Sequence, residues 1–174
     1  MVRADGTRGR RLAGYRSLNT HPSWSPDGKK IAFTSDRDGD GDIFVMNADG
    51  TGKTKLTDNT VLDETPAWSP DGSRIVFDST VPGPPGQGDA GSALHSMNPD
   101  GTDLTALTDG TRFDLMPAWS PDSTRILFRG DSSAGQTTSV DIYVINPDGT
   151  GETNVTGDQT VDVVARRHDD RVHR

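Results

Sequence analysis

The sequence contains no cysteine, and only 30% of its residues are hydrophobic and 6% aromatic. Without cysteine there is no disulfide framework and no thiolate chemistry, although this leaves the cellular compartment open. No apolar run approaches the roughly 18 residues that a membrane helix needs, and no signal peptide opens the chain. Basic residues are fewer than acidic ones, and the net charge is −8. This argues against nucleic acid as a partner.

Glycine, proline, serine, threonine and aspartate are abundant. This composition is typical of many short strands separated by tight turns, which need those residue types. Disorder is the alternative, because hydrophobicity is low and net charge is high. The strict repetition of aromatic and β-branched runs argues against disorder.

A tetrapeptide repeat organises the chain. Ser-Pro-Asp-Gly follows Trp24 and Trp68, and Ser-Pro-Asp-Ser follows Trp119, so the three sites are 44 and 51 residues apart. Periods of this length indicate a repeat architecture. In the third copy Ser123 stands where the others have glycine. We therefore expect Ser123→Gly to be neutral or slightly stabilising if φ is positive there.

Each repeat predicts four short antiparallel strands. The first ends at the tryptophan, a type I turn follows, and a second strand covers residues such as 74–78. After a variable loop, a third strand covers residues 42–46 or 141–145, then Asn-x-Asp-Gly-Thr forms another turn and a short strand ends the unit. Four antiparallel strands in such a period predict an all-β fold, a β-propeller made of blades. A parallel solenoid has shorter units that lack three successive hairpins.

The repeat boundaries predict three blades and two partial ends. Blades are expected at residues 14–57, 58–108 and 109–157, with an outer strand of a preceding blade at 1–13. Residues 158–174 are expected to form a degenerate or disordered basic tail. A closed propeller needs about four blades. We therefore expect a fragment of a longer propeller, or a partial one that associates with itself through its open edges.

The repeated text Pro-Ala-Trp-Ser-Pro-Asp-Gly at 66–72, with Asp-Ile-Tyr-Val-Ile-Asn-Pro-Asp-Gly-Thr at 141–150, resembles the WD40-like repeats of the TolB family. The resemblance covers residues 4–165. It implies a non-catalytic scaffold that binds other proteins, in the periplasm or secreted; TolB propellers contact a peptidoglycan-associated lipoprotein. Similar repeats form propellers of prolyl-oligopeptidase-type serine peptidases, so the alternative is such a propeller whose catalytic domain lies outside this chain. A secreted propeller that binds carbohydrate or calcium is a third hypothesis.

Strand order predicts where a partner would bind. In an up-and-down blade the two tight turns share one face, and the opposite face carries the loops between strands two and three and the blade linkers. Those loops, at 35–41, 81–92 and 130–139, differ among the copies, and variable loops on a rigid scaffold commonly carry function. The predicted partner-binding residues are Arg37, Asp63, Glu64, Gln87, Asp89, Arg112, Asp114 and Gln136.

Two sets of aspartates could instead serve other roles. Asp63 and Asp114 occupy equivalent linker positions with Asp162, and they could form a ring around a central channel or cap backbone amides. Asp36, Asp38 and Asp40 fit the start of a calcium loop. The bidentate acid at its twelfth position is missing, so an Asp/Gly-rich hairpin is the alternative.

No catalytic set is predicted. Residues 130–135 do not meet the G-x-S-x-G spacing of a nucleophile elbow, and no strand-to-helix pattern surrounds them. Of the four histidines, only His95 lies in a strand pattern. We therefore expect a protein that is not an enzyme and needs no cofactor, with calcium as the one candidate ion.

Overall fold

The computed structural model describes residues 9, 11–12, 17–134 and 137–157, with side chains at 132–138 left aside. The described residues form strands, turns and coil, and no helix long and apolar enough to cross a membrane occurs among them. The strands are β1 (Asn19–Trp24), β2 (Lys30–Ser35), β3 (Asp42–Asn47), β4 (Thr54–Lys55), β5 (Asp63–Trp68), β6 (Ile75–Pro82), β7 (Asp89–Met97), β8 (Thr105–Ala106), β9 (Phe113–Trp119), β10 (Ile126–Ala134), β11 (Thr137–Ile145) and β12 (Thr153–Asn154).

These strands form three four-stranded antiparallel blades, which we call blade 1 (β1–β4), blade 2 (β5–β8) and blade 3 (β9–β12). Within each blade the strands pair in chain order. A single parallel bridge, between Ser92 and Phe113, joins blades 2 and 3 into one sheet. The prediction of an all-β propeller built from such blades is confirmed.

The Ser-Pro-Asp-Gly turn is stabilised by its own side chains. In the first copy Gly28 N donates to Ser25 O at 2.9 Å, and Asp27 Oδ1 accepts Lys29 N at 3.0 Å and Ser25 Oγ at 2.8 Å. The hydrogen bond from Lys29 N holds the pKa of Asp27 below its ordinary value. The same bonds recur in the other two copies around Asp71 and Asp122. A motif that closes within five residues forms in each copy regardless of its surroundings.

The predicted loops at 81–92 and 130–139 are shorter than expected. Strands β6 and β7 continue to Pro82 and from Asp89, and β10 and β11 continue to Ala134 and from Thr137. Backbone pairing satisfies the polar groups of these residues whether or not their side chains are apolar. The prediction that these strands end where the apolar pattern ends is therefore wrong.

The first strand of each blade carries a bulge that the sequence reading missed. In each first strand, the residue before the proline has a positive φ: 48° at His21, 48° at Thr65 and 55° at Met116. The proline itself stands two residues before the repeat tryptophan. The register of β1, β5 and β9 shifts at these points. Such a bulge inserts an unpaired residue and re-aims the backbone.

Apolar layers between blades form the core. We call the side of a blade that packs on the following blade its front face, and the other side its back face. Ala32, Ile43 and Val45 on the front of blade 1 cluster with Ile75, Phe77 and Met97 on the back of blade 2. Val76, Leu94 and Leu107 of blade 2 cluster with Ile126, Phe128 and Ile145 of blade 3 in the same way.

The two ends are only partly described. Of the predicted outer strand at 1–13, the structure describes Gly9, Arg11 and Leu12, and the predicted tail at 158–174 lies outside the described residues. Leu12 packs against a buried cluster on the back of blade 1 that includes Ile31 and Phe33. Its backbone lies against Gly50 as that of Leu56 lies against Gly101.

The third turn allows a test of the serine that replaces glycine. Ser123 has φ of +59°, as Gly28 and Gly72 have +69° and +77°, so the condition for a favourable Ser123→Gly change is met. However, Ser123 Oγ also accepts Asp71 N from blade 2 at 3.1 Å. In Ser123→Gly, relief of the backbone strain stabilises the protein by about 0.5–1 kcal/mol, and loss of the hydrogen bond to Asp71 N destabilises it by about 0.5–1 kcal/mol, so the two effects nearly cancel.

We therefore expect Ser123→Gly to change the free energy of unfolding by less than about 0.5 kcal/mol. Ser123→Ala keeps the backbone strain and loses the hydrogen bond to Asp71 N, so it should lower the free energy of unfolding by about 0.5–1.5 kcal/mol. Urea unfolding of both variants measures this. A Ser123→Ala variant as stable as the unsubstituted protein would show that the bond between blades contributes nothing.

Candidate functional site

The hairpins between second and third strands and the blade linkers lie on one side, which we call the variable face (residues 36–41, 58–62, 82–90 and 109–112). Arg37, Gln87 and Asp89 are exposed on it. The hairpin that joins β6 and β7 is exposed from Pro82 to Ala90 apart from the half-buried Gly83. Gln136 lies outside the described residues. Three of the eight predicted partner residues are thus in exposed positions on this face.

Asp63 and Asp114 are not available to a partner, and their predicted placement on the binding surface is wrong. Their exposed fractions are 0% and 1%. Asp63 N donates to Gly41 O of blade 1 at 2.8 Å, and its Oδ2 accepts Asn59 Nδ2 at 2.8 Å. The first strand of a new blade enters beneath the preceding hairpin, which buries the first residues of that strand.

Arg112 connects this linker to Glu152, the residue before the outer strand of blade 3. Its Nε donates to Asp114 Oδ1 at 2.6 Å and its Nη2 to Glu152 Oε1 at 2.7 Å. The guanidinium carbon lies 4.1 Å from the centre of the Tyr143 ring, within cation–π range. Burial raises the pKa of Asp114, although hydrogen bonds from Thr108 and Arg112 oppose this. Arg112 is half-buried and engaged on three sides, so its role is structural.

Arg37 repeats the same stacking in blade 1 but is exposed. Its guanidinium carbon lies 4.2 Å from the Phe44 ring centre and 5.4 Å from that of Phe33. Its Nε donates to Ser35 Oγ at 3.0 Å and its Nη2 to Asn19 Oδ1 at 3.1 Å. Arg37 therefore presents a pre-oriented cation on the variable face.

The aspartates proposed for calcium are only partly brought together. Ligand oxygens of Asp38, Asp40 and Asp42 lie within 4.8 Å of one another. Asp36 does not belong to this group, because its Oδ1 accepts Leu18 N at 2.7 Å. The buried Asp42 takes its place, since the hairpin turns back into β3 at that residue.

The cation beside these carboxylates is Lys55, which the sequence reading missed. Its Nζ lies 2.8 Å from carboxylate oxygens of Asp38, Asp42 and Asp58. Hydrogen bonds to these groups, that to Asp38 foremost, raise the pKa of Lys55, and Lys55 in turn lowers the pKa of Asp38. Burial raises the pKa of Asp42. A calcium ion would have to displace this ammonium, and calcium binding stays a prediction.

Another buried carboxylate, that of Asp78, joins two blades. Asp78 Oδ1 accepts the hydroxyl of Thr65 and the backbone N of Met116 at 3.2 Å, so it bridges the bulges of β5 and β9. Burial raises the pKa of Asp78, and the charge of Glu64 adds to the effect. Glu64, predicted on the partner surface, thus lies half-buried in a first strand beside this bridge rather than in a loop.

Candidates for catalysis take structural positions. His95 stacks on Phe77 with ring centres 5.7 Å apart, and its Nδ1 lies 3.2 Å from Ala93 O. Residues 130–134 belong to β10 rather than to a strand-to-helix turn. The serine hydroxyls that donate to a carboxylate, such as Ser25 Oγ to Asp27 Oδ1 at 2.8 Å, belong to the repeated turns and close them.

The chain is similar to known TolB proteins in both sequence and fold. The family model of the TolB beta propeller domain matches residues 1–87. The Tol-Pal system protein TolB of Syntrophus aciditrophicus (strain SB) is 54% identical over 43 residues, which are 25% of this chain and 10% of that protein. A solved structure assigned to TolB of Agrobacterium tumefaciens is 26% identical with a TM-score of 0.66, over 82% of this chain and 50% of that chain. The resemblance drawn from the repeat is confirmed.

The fold is also shared with a peptidase. A puromycin-hydrolyzing peptidase of Mycobacterium tuberculosis is 16% identical with a TM-score of 0.66, over 89% of this chain and 23% of that chain. At this identity the likeness concerns the fold alone. The chain spans half or less of the length of each of these proteins.

Removing the Lys55 ammonium tests its role. We expect Lys55→Met to lower the melting temperature clearly, because the buried Asp42 carboxylate loses its counter-charge. Asp58→Asn is the matched control: Asp58 is 91% exposed, and its loss should change little. Thermal unfolding by circular dichroism measures both.

Calcium chloride added to the unsubstituted protein should leave its melting temperature unchanged, since the Lys55 ammonium already occupies the position between the Asp38 and Asp42 carboxylates. A rise that a chelator reverses would contradict this and favour the calcium hypothesis.

The buried Asp78 predicts a pH dependence. Its folded pKa is raised above the ordinary 3.8, so its contribution to stability is full below that value and is lost as pH rises through the folded pKa. An asparagine side chain at this position would carry no charge and could still accept Met116 N. We expect the stability of Asp78→Asn relative to the unsubstituted protein to improve steadily from about pH 3 to about pH 7.

Asp100→Asn provides a control of opposite sign. Hydrogen bonds from Thr102 lower the pKa of Asp100, so its contribution is present above the ordinary pKa and lost as pH falls. Urea unfolding across the pH range measures how the free energy of unfolding of each variant, relative to the unsubstituted protein, changes with pH. Parallel slopes for both variants would contradict the assignment.

Proposed function

This chain belongs to the TolB beta propeller domain family, and we propose that it is a non-catalytic scaffold that binds another protein in the cell envelope. The matched relative from Syntrophus aciditrophicus is a Tol-Pal system protein, which supports an envelope role. The family resemblance supports a periplasmic or secreted location. Buried polar side chains such as Asp78 serve the packing of the blades, whereas the polar side chains of the blade 2 hairpin are exposed to a partner.

The exposed hairpin of blade 2 carries this proposal. Its cross-strand pairing extends as far as Pro82 and Asp89, and the residues from 84 to 90 are exposed. Gly83 N donates to Gly88 O at 3.0 Å, and Gln87 N donates to Pro84 O at 3.0 Å, so the tip has a defined shape. An ordered projection with exposed polar side chains loses little entropy when a partner binds.

The opposite face suits recognition less well. Its turn aspartates use Oδ1 to accept amides of their own turns, as Asp100 accepts Thr102 N at 3.0 Å and Asp148 accepts Thr150 N at 2.9 Å. These turns have nearly the same sequence in each blade. A face built from nearly identical turns offers a partner fewer distinguishing contacts than the variable face.

The propeller portion of a prolyl-oligopeptidase-type peptidase is the second candidate. The shared fold with the puromycin-hydrolyzing peptidase of Mycobacterium tuberculosis favours it. In that case the nucleophile would come from a catalytic domain elsewhere in the parent protein. An α/β-hydrolase domain in the same reading frame would establish this candidate, whereas a small N-terminal α/β domain behind a signal peptide would support the scaffold.

Binding to a purified peptidoglycan-associated lipoprotein, its lipid anchor removed, tests the scaffold. By calorimetry we expect Gln87→Lys with Asp89→Lys to weaken binding at least about fivefold, the loss of roughly 1 kcal/mol. Lys29→Ala is the control and should retain affinity, because the Lys29 side chain is 81% exposed beside the turn between β1 and β2, on the face opposite the variable face.

No binding by the unsubstituted chain would contradict this choice of partner. Equal losses in the hairpin variant and the Lys29 control would contradict the assignment to the variable face.

A further inference from the structure

Two blade faces in the described structure lack a neighbouring blade. The back of blade 1 and the front of blade 3 are the faces that, elsewhere in the chain, pack against each other at the junctions of blades 1 and 2 and of blades 2 and 3. A back face and a front face are thus open at opposite ends of the same molecule. This inference concerns self-association and does not depend on the proposed function.

The open back face exposes residues that are covered in the other blades. Trp24 is 49% exposed, whereas Trp68 and Trp119 are half-buried. Pro22 is exposed, whereas its counterparts in β5 and β9 are buried. A cleft of about 290 Å³ lies here, lined in part by Leu12, Pro22 and Trp24.

The open front face shows the same contrast. Leu127 is 44% exposed, whereas Ala32 and Val76, at the equivalent position of blades 1 and 2, are 0% exposed. Val155 is 54% exposed, whereas its counterpart Leu107 is 6% exposed. Removing apolar surface of this kind from water favours association.

The junction of blades 2 and 3 shows how the two faces would fit. There Trp119 Nε1 donates to Ala67 O at 3.1 Å, and Val76 lies against the cluster of Ile126 and Phe128. Ile31 and Phe33 hold the positions of Ile126 and Phe128 on the open back face, and Trp24 holds that of Trp119. On the open front face, Ala118 and Leu127 hold the positions of Ala67 and Val76.

We propose that copies of this chain join head to tail, with the front of blade 3 of one copy on the back of blade 1 of the next. Trp24 of the next copy then packs against Ala118 of the first, as Trp119 packs against Ala67 at the junction of blades 2 and 3. Because the contact joins two different faces, it either closes into a ring or continues as a chain of copies.

Leu12 competes with this association. Its backbone lies against Gly50 just as Leu107 lies against Gly149, and Val155 is the blade 3 counterpart of Leu107. Val155 of one copy would therefore occupy the place of Leu12 in the next. Leu12 partly covers the open back face and must leave it for the joint to form.

Mass measurement by light scattering or sedimentation over a range of concentrations tests the proposal. We expect the unsubstituted chain to associate, and Trp24→Asp and Leu127→Asp each to weaken association at least about tenfold. Leu104→Asp is the matched control, since Leu104 is a 57% exposed leucine outside both open faces. Leu12→Asp should strengthen association. Circular dichroism confirms that each variant is folded.

Mixing the two weakened variants identifies the geometry. Trp24→Asp keeps an intact front face and Leu127→Asp an intact back face, so the mixture should form a dimer through the one intact joint. The proposal is overturned by any of four results: a monomer at all concentrations, a mixture that stays monomeric, an equal loss in Leu104→Asp, or weaker association in Leu12→Asp.

Discussion

The packing of each blade's back face on the front face of the blade before it holds the described structure together. A blade has only four strands, and its outer strand is two residues long, so a single blade cannot bury both of its faces. The largest buried side chains, such as Phe77 and Phe128, belong to clusters that span two blades. In such quasi-one-dimensional architectures stability comes from neighbouring units, and each unit here depends on the next.

Buried carboxylates occur where this apolar packing meets the blade edges. Asp42, Asp63, Asp78 and Asp114 are each less than 5% exposed, yet each has a defined polar partner: an ammonium, an amide, a bulged backbone or a guanidinium. Burial of a charge is tolerated only with such partners. These groups therefore join linkers and bulges to the sheets.

The parts of the fold that sequence could predict are those closed by short-range bonds. The turn around Asp27 is complete within five residues, so its repetition predicted three blades and their strand order. The extended arms of β6 and β7 were missed because polar residues such as Thr80 pair only when the partner strand is present. Lys55 was missed because it reaches the Asp38 carboxylate from another strand, and the bulge at Met116 because an X-Pro pair is compatible with several backbone conformations.

By itself, then, the sequence determined the repeat, the four-stranded unit and the chemistry of each turn. The tertiary structure alone decided which of several similar aspartates are surface groups: Asp89 is exposed on a hairpin tip, whereas Asp63 and Asp114 are buried beneath a preceding blade. It also decided that the Lys55 ammonium pairs with carboxylates of the acidic hairpin and that, among the described residues, two complementary blade faces lack a neighbouring blade. The physical reason is that burial depends on a neighbouring blade some 45 residues away in sequence, and local pattern carries no record of how that neighbour is placed.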